Sequence, residues 1–192
     1  MTDFKENNSL FQKIKQAAYE KCVPIQATFE LTPRCALNCK MCYVHLHPEE
    51  IPKCGRGREL TAKEWIEMGR QAQDAGVFSL CITGGDPLLH PEFEKIWRAI
   101  SRMGFRLTLQ TNAFSITERL EKLFDEYPPQ EAKVTLYGSS DEVYKAVCRV
   151  ENGFTKVDRG IQKLRNMKIP IQLVTTFVKQ TSMPFADQHH HK

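Results

Sequence analysis

The sequence predicts an α/β fold, a parallel sheet with helices on its outer side. The first observation is alternation: five strand-like runs are separated by helical patterns, and the runs cover residues 26–31, 78–83, 105–110, 133–137 and 169–178. Such alternation indicates parallel strands, because a helical crossover carries the chain back to start the next strand beside the last. Helix-end residues and polar strand ends support the same prediction. Right-handed crossovers would curl the sheet toward a barrel or leave it open and doubly wound.

The helical patterns contain residues typical of helix ends. Thr61 and Glu64 have the spacing of a capping box, and Pro91 stands where the first turn of a helix tolerates proline. Gly76 and Gly104 stand where helix-terminating glycines belong. The predicted helices cover residues 9–20, 61–75, 91–103, 116–127, 140–147 and 154–167.

The composition is that of an ordinary globular domain, with 41% hydrophobic and 26% charged residues in a chain of 192. The net charge of +4 is scattered, and no basic run interleaves with aromatic residues, so we expect no nucleic-acid partner. No apolar stretch reaches the length of a membrane span, and the first ten residues lack the apolar core of a signal peptide. We therefore expect no membrane partner and a cytoplasmic location, where the seven cysteines are reduced thiols or metal ligands.

Three of these cysteines, Cys35, Cys39 and Cys42, follow the first predicted strand in a C-x3-C-x2-C pattern. Structural zinc sites use four ligands in closed geometry, and iron–sulfur clusters also normally take four thiolates. Three thiolates close together therefore predict a cluster with one iron open to a ligand that takes part in the chemistry. A zinc site or buried free thiols are the alternatives, although Arg34 and Lys40 make the stretch too polar for a core segment.

The remaining cysteines and the histidines have simpler interpretations. Cys54 could add a fourth ligand, but a loop thiol is the favoured interpretation. Cys22, Cys81 and Cys148 have no partner at ligand spacing and are interpreted as structural. Five of the six histidines form a pair just after the cysteine loop and a run near the C-terminus. A polar loop and a terminal tail are favoured over metal sites for His45, His47, His189, His190 and His191.

Further polar residues collect where the predicted strands end. Gly84, Gly85 and Asp86 follow the second strand, residues 111–112 the third and residues 137–139 the fourth. In parallel α/β folds, ligands bind at the carboxyl edge of the sheet. Adjacent glycines let a ligand approach the backbone closely, and a carboxylate there can pair with an ammonium group. A simple turn is the alternative.

Together these motifs resemble the radical S-adenosylmethionine (radical SAM) superfamily, over about residues 24–180. The cysteine pattern followed by residues 84–87 (Gly-Gly-Asp-Pro) is highly specific for the family, and residues 110–112 and 134–138 are supporting matches. The short sequences at residues 39–43 and 58–61 are similar to those of the peptide- and protein-modifying branch, whose members often carry a C-terminal SPASM extension.

The resemblance implies a [4Fe–4S] cluster held by Cys35, Cys39 and Cys42, with S-adenosylmethionine on the fourth iron. It implies an enzyme that cleaves this cofactor reductively to a 5′-deoxyadenosyl radical, which abstracts hydrogen from a peptide or protein substrate. A flavodoxin or ferredoxin would be the reductant. The resemblance also implies contacts with S-adenosylmethionine. Its methionyl ammonium group would contact Gly84, Gly85 and Asp86. Its carboxylate or ribose would contact Thr135 and Arg149, and its adenine would lie near Met41.

Three departures from the family pattern shape the expectations. Asp86 replaces the usual glutamate, and Met41 occupies a usually aromatic position. The family core has six strand–helix units, whereas five are predicted here, so we expect a partial (β/α)-barrel without its sixth unit, from a C-terminally truncated core. The expected divisions are an N-terminal helical extension (1–23), the radical SAM core (24–180) and a C-terminal tail (181–192). The alternatives are a truncated, non-catalytic protein that binds a cluster and S-adenosylmethionine, and a zinc-binding interaction module.

Overall fold

The computed structural model describes residues 3–44, 46–47, 49–53, 55 and 57–178. The predictions for Cys54, His45 and the histidines at 189–191 lie outside the described residues. The helices are α1 (Asp3–Glu20), α2 (Ala62–Asp74), α3 (Phe93–Ser101), α4 (Glu118–Glu126), α5 (Asp141–Cys148) and α6 (Gly153–Asn166). The strands are β1 (Gln26–Glu30), β2 (Ser79–Thr83), β3 (Arg106–Thr111), β4 (Glu131–Thr135) and β5 (Ile171–Val174).

The described strands form one sheet in the order β1-β2-β3-β4-β5, and every neighbouring pair is parallel. After each strand, the chain therefore passes back across the sheet, and the next strand starts at the same edge as the last. The prediction of an α/β fold with five parallel strands and outer helices is confirmed. The division of the chain into an extension, a core and a tail stays a prediction.

The starts of α2 and α5 agree with the predicted ones, whereas α1 begins at Asp3, six residues before the predicted start, and α3 begins at Phe93, so that Pro91 lies before its first turn. The Thr61 side chain accepts a hydrogen bond from the backbone N–H of Glu64, and the Glu64 carboxylate accepts one from the backbone N–H of Thr61, so the capping box forms. Thr117 and Ser140 cap α4 and α5 in the same way through their hydroxyl oxygens. These caps satisfy backbone donors that the first turn of a helix leaves free.

Strand limits differ from the predictions at β4 and β5. β4 begins at Glu131, two residues before the predicted start, because pairing with Thr108 on β3 extends to that residue. It ends at Thr135, so Tyr137 lies in the loop beyond it. β5 is limited to Ile171–Val174, which is shorter than the predicted residues 169–178, since its paired register on β4 ends at Val174.

The two faces of the sheet have opposite character. On one face, apolar side chains of β1 to β4 pack against α2, α3, α4 and α6 to form the main core, in which Leu80, Leu109, Ala132 and Leu123 are fully buried. Trp65 and Trp97 lie in this core. The other face is polar, with rungs of paired residues such as Thr28, Cys81, Thr108 and Glu131. Within the described residues, no helix is both long and apolar enough to cross a membrane.

A second, smaller apolar cluster lies beneath the cysteine loop. Leu37 from this loop packs with Val143, Tyr144 and Val147 of α5, and Cys35 and Cys39 contact the same cluster. Arg149 is the C-cap of α5, and its φ of 55° is the left-handed conformation typical of helix C-termini. This cluster fixes the position of the cysteine loop relative to α5.

Candidate functional site

A cavity of about 460 Å³ lies at the carboxyl edge of the sheet and extends over its polar face. It brings together side chains from the cysteine loop and from the ends of β1 to β5. Predicted site residues that line it are Cys35, Cys39, Met41, Cys42, Gly84, Gly85 and Thr135. The loops after parallel strands converge at this edge, which explains why residues so distant in sequence share one cavity.

The start of the cysteine loop is tied to the glycine segment that follows β2. The backbone N–H of Gly85 donates to the carbonyl oxygen of Thr32 and that of Asp86 to the carbonyl oxygen of Arg34, both at 2.7 Å. A Cβ atom at Gly85 would lie 2.5 Å from the Arg34 carbonyl oxygen, and one at Gly84 would collide with the Thr32 backbone. The glycines are therefore needed for the approach of the cysteine loop itself, in addition to lining the cavity.

The far end of the cysteine loop is tied to α5. Backbone N–H groups of Asn38 and Lys40 donate to the carbonyl oxygens of Cys148 and Val147, each at 3.0 Å. These carbonyls belong to the last turn of the helix, where carbonyl groups lack a partner within the helix. The loop is thus held at both ends by backbone hydrogen bonds, and its three thiols are presented to the cavity between them.

The thiols lie in different electrostatic surroundings. Burial raises the pKa of Cys35 to about 12. The Cys148 thiol forms a hydrogen bond with the Cys39 sulfur, which lowers the pKa of Cys39 against the opposing effect of burial, and raises that of Cys148. The Tyr137 hydroxyl also forms a hydrogen bond with the Cys39 sulfur. The sequence interpretation missed this contact with Cys148, because the two cysteines have no ligand-like spacing.

Asp86 does not line the cavity, although its neighbour Gly85 does. Its carboxyl group is fully buried, and Oδ1 accepts hydrogen bonds from the Thr111 hydroxyl at 2.9 Å and from the Leu88 backbone N–H at 3.2 Å. Its Oδ2 atom has no hydrogen-bond partner among the described residues. Burial raises the pKa of Asp86 to about 6. In this position Asp86 caps the short turn Pro87–Leu89 and joins the ends of β2 and β3.

The other predicted contacts are divided between the cavity and the surface. Thr135, the last residue of β4, and Met41 line the cavity. Arg149 is exposed at the end of α5 and does not line it. The roles predicted for Asp86 and Arg149 in binding a cofactor stay predictions.

Glu30 is a cavity residue that the sequence interpretation missed. It is the last residue of β1, it is exposed, and it pairs in register with Thr83 on β2. Among the described residues that line the cavity, Glu30 has the only charged side chain. The signal that could have found it is its place on the polar face of a strand that runs directly into the cysteine loop.

The chain is similar in sequence to a curated protein. A curated relative, the AdoMet-dependent heme synthase of Oleidesulfovibrio alaskensis, is 26% identical over 159 residues, which are 83% of this chain and 40% of the relative. The chain therefore spans about 40% of the length of that relative.

Solved structures show the same fold. Streptococcus suis SuiB bound to its precursor peptide SuiA superposes with a TM-score of 0.66 at 16% identity, over 91% of this chain and 38% of SuiB. BtrN in complex with AdoMet superposes with a TM-score of 0.52 at 17% identity, over 79% of this chain and 56% of BtrN. The family model described as the Radical SAM superfamily matches residues 29–183. Because this match covers most of the 192 residues, the chain belongs to the Radical SAM superfamily.

Proposed function

We propose that this chain is the core of a radical SAM enzyme in which Cys35, Cys39 and Cys42 hold a [4Fe–4S] cluster and the adjoining cavity binds S-adenosylmethionine. The observation that carries the proposal is that all three thiols line one cavity together with Gly84 and Gly85. When bound, the two groups supply a 5′-deoxyadenosyl radical that abstracts hydrogen from a substrate.

The donor set fits an iron–sulfur cluster. Iron–sulfur clusters are held by cysteine thiolates, and the three thiols of this loop line one cavity. The Cys35 sulfur also accepts hydrogen bonds from the Leu37 backbone N–H at 3.4 Å and from Asn112 Nδ2 at 3.3 Å. Such donors are typical of the surroundings of cluster thiolates.

The cavity walls support binding of a cationic, polar cofactor. S-adenosylmethionine carries a sulfonium and an ammonium group, and the Glu30 carboxylate is the negative group positioned to attract them. Thr83 and Thr135 add hydroxyl groups from β2 and β4. Leu37 and Met41 add apolar surface beside the thiols, which limits the access of water to this part of the cavity.

A peptide or protein is the proposed substrate, and a flavodoxin or ferredoxin the proposed reductant. The support for a peptide is the resemblance of residues 39–43 to the peptide-modifying branch, and SuiB shows that the same fold accommodates a precursor peptide in another protein. A tetrapyrrole is the second candidate, favoured by the name of the heme synthase relative. Incubation of the reduced protein with each class and mass analysis of the products distinguishes the two.

The deciding experiment is anaerobic reconstitution with iron and sulfide, followed by reduction in the presence of S-adenosylmethionine. We expect about four irons per chain and release of 5′-deoxyadenosine. Cys39→Ala removes one ligand and should abolish both, whereas Cys22→Ala, which changes an exposed cysteine outside the cavity, should retain both. A cluster without cleavage would support the non-catalytic alternative. Stoichiometric zinc, or full cleavage by Cys39→Ala, would refute the assignment.

A further inference from the structure

The residue after β3 contacts a cluster cysteine. Asn112 is 6% exposed, and its Nδ2 atom lies 3.3 Å from the Cys35 sulfur. We infer that Asn112 is a positioning residue that donates an N–H···S hydrogen bond to Cys35 and thereby raises the reduction potential of the bound cluster. The inference rests on the proposed function, since it requires a cluster at Cys35.

The orientation of the Asn112 amide is set by its other end. Its Oδ1 atom accepts a hydrogen bond from the backbone N–H of Phe114 at 2.9 Å. An N–H group can donate only to the oxygen end of an amide, so the nitrogen end must face the sulfur of Cys35. A flipped amide would place two donors against each other at Phe114 and would leave the sulfur without this donor.

Three contacts fix the backbone of residues 111–113, the turn that follows β3. The Thr111 hydroxyl donates to the buried Asp86 carboxylate at 2.9 Å and accepts from the Ala113 backbone N–H at 3.1 Å. Ala113 has a φ of 57°, a left-handed conformation that alanine rarely adopts. Any Cβ atom at Gly160 of α6 would collide with the Ala113 carbonyl oxygen, so the helix packs directly on the turn. Asn112 is consequently held in place before a cluster binds.

The expected effect follows from charge. Reduction adds negative charge to the cluster and its thiolates, and a hydrogen-bond donor at a thiolate stabilises that charge. Removal of the donor should therefore make reduction harder and shift the midpoint potential to lower values. The same hydrogen bond restricts the Cys35 side chain at the start of the cysteine loop.

The test is a potentiometric titration of the reconstituted protein, with the spectrum of the reduced cluster as the readout. Asn112→Asp keeps the acceptor for Phe114 but replaces the N–H donor by a carboxylate oxygen, and Asn112→Ala removes the donor without adding charge. The matched control is Gln110→Glu, which makes the same amide-to-carboxylate change at another cavity residue of β3 that does not hydrogen-bond to a cluster cysteine among the described residues.

We expect lower midpoint potentials for both Asn112 variants, the lower for Asn112→Asp, and a smaller shift for Gln110→Glu. An Asn112→Ala protein with full iron content and the wild-type potential would overturn the inference. Equal shifts in Asn112→Asp and Gln110→Glu, with none in Asn112→Ala, would also overturn it, because they would reflect charge alone. If the wild-type protein takes up no cluster, it is the proposed function that fails, and this outcome is distinct from the other two.

Discussion

One face of the sheet forms the core of the molecule, and the other face carries the cavity. The apolar face packs against α2, α3, α4 and α6 and contains the fully buried Leu80 and Leu109. The polar face carries Thr28 and Glu30 of β1 and Cys81 of β2, and the cavity lies over its carboxyl end. Because neighbouring residues of a strand point to opposite faces, one strand contributes both to the core and to the site. The comparison teaches that stability and ligand binding should respond to different substitutions on the same strand.

The largest effect on stability is expected from the apolar face. Leu109→Ala should lower the free energy of unfolding by about 2–5 kcal/mol, because Leu109 is fully buried in the middle strand and the surrounding core can relax only in part. Thr108→Ala, on the adjacent residue of the polar face, should change it by about 0.5 kcal/mol or less. Urea unfolding of the cluster-free protein measures both. Equal losses in the two variants would contradict the division of the faces.

Asp86, behind the carboxyl edge, should make stability depend on pH. The pKa of Asp86 is raised to about 6 by burial, and an aspartate in the unfolded chain titrates near its ordinary value of about 4. The protonated carboxyl group therefore makes its full contribution to the free energy of unfolding below about pH 4, and this contribution is lost as the pH rises through about 6. Asp86→Asn removes this dependence and should be more stable than the wild type by up to about 3 kcal/mol at pH 8.

The control for Asp86 is a carboxylate with the opposite shift. Hydrogen bonds from Thr155 lower the pKa of Asp141, so its contribution is present at neutral pH and is lost as the pH falls. Urea unfolding at several pH values measures the free energy of unfolding of each variant relative to the wild type. This difference should rise with pH for Asp86→Asn and fall with pH for Asp141→Asn. A difference between Asp86→Asn and the wild type that is independent of pH would show that Asp86 ionises freely in the folded protein.

The smallest expected effect is on cofactor affinity, and it compares two carboxylates of the polar face. Glu30→Gln should weaken S-adenosylmethionine binding about tenfold, equivalent to about 1.4 kcal/mol, because it removes the charge that faces the cationic cofactor. The fold should keep its stability, since Glu30 is exposed. Glu131→Gln, which changes a carboxylate of the same face outside the cavity, is the control. Calorimetry on the reconstituted protein measures both affinities, and equal affinities for the two variants would remove Glu30 from the proposed site.

Much of the fold could be predicted because its signals are local. The capping residues Thr61 and Ser140 mark helix starts, since a hydroxyl oxygen there satisfies free backbone donors of the first turn. Strand limits were less predictable. The start of β4 at Glu131 depends on pairing with β3, and the end of β5 at Val174 depends on pairing with β4, so neither limit is encoded in the residues of the strand itself.

The sequence by itself determined the family, the parallel α/β fold and the three thiols at the end of the first strand, because motif spacing and hydrophobic periodicity are properties of neighbouring residues. Only the tertiary structure decided that Asp86 is buried and does not line the cavity, that Glu30 lines it, and that Asn112 contacts Cys35. The physical reason is that strands from distant parts of the chain end at one edge. The direction and partners of each side chain there depend on the loops packed against it.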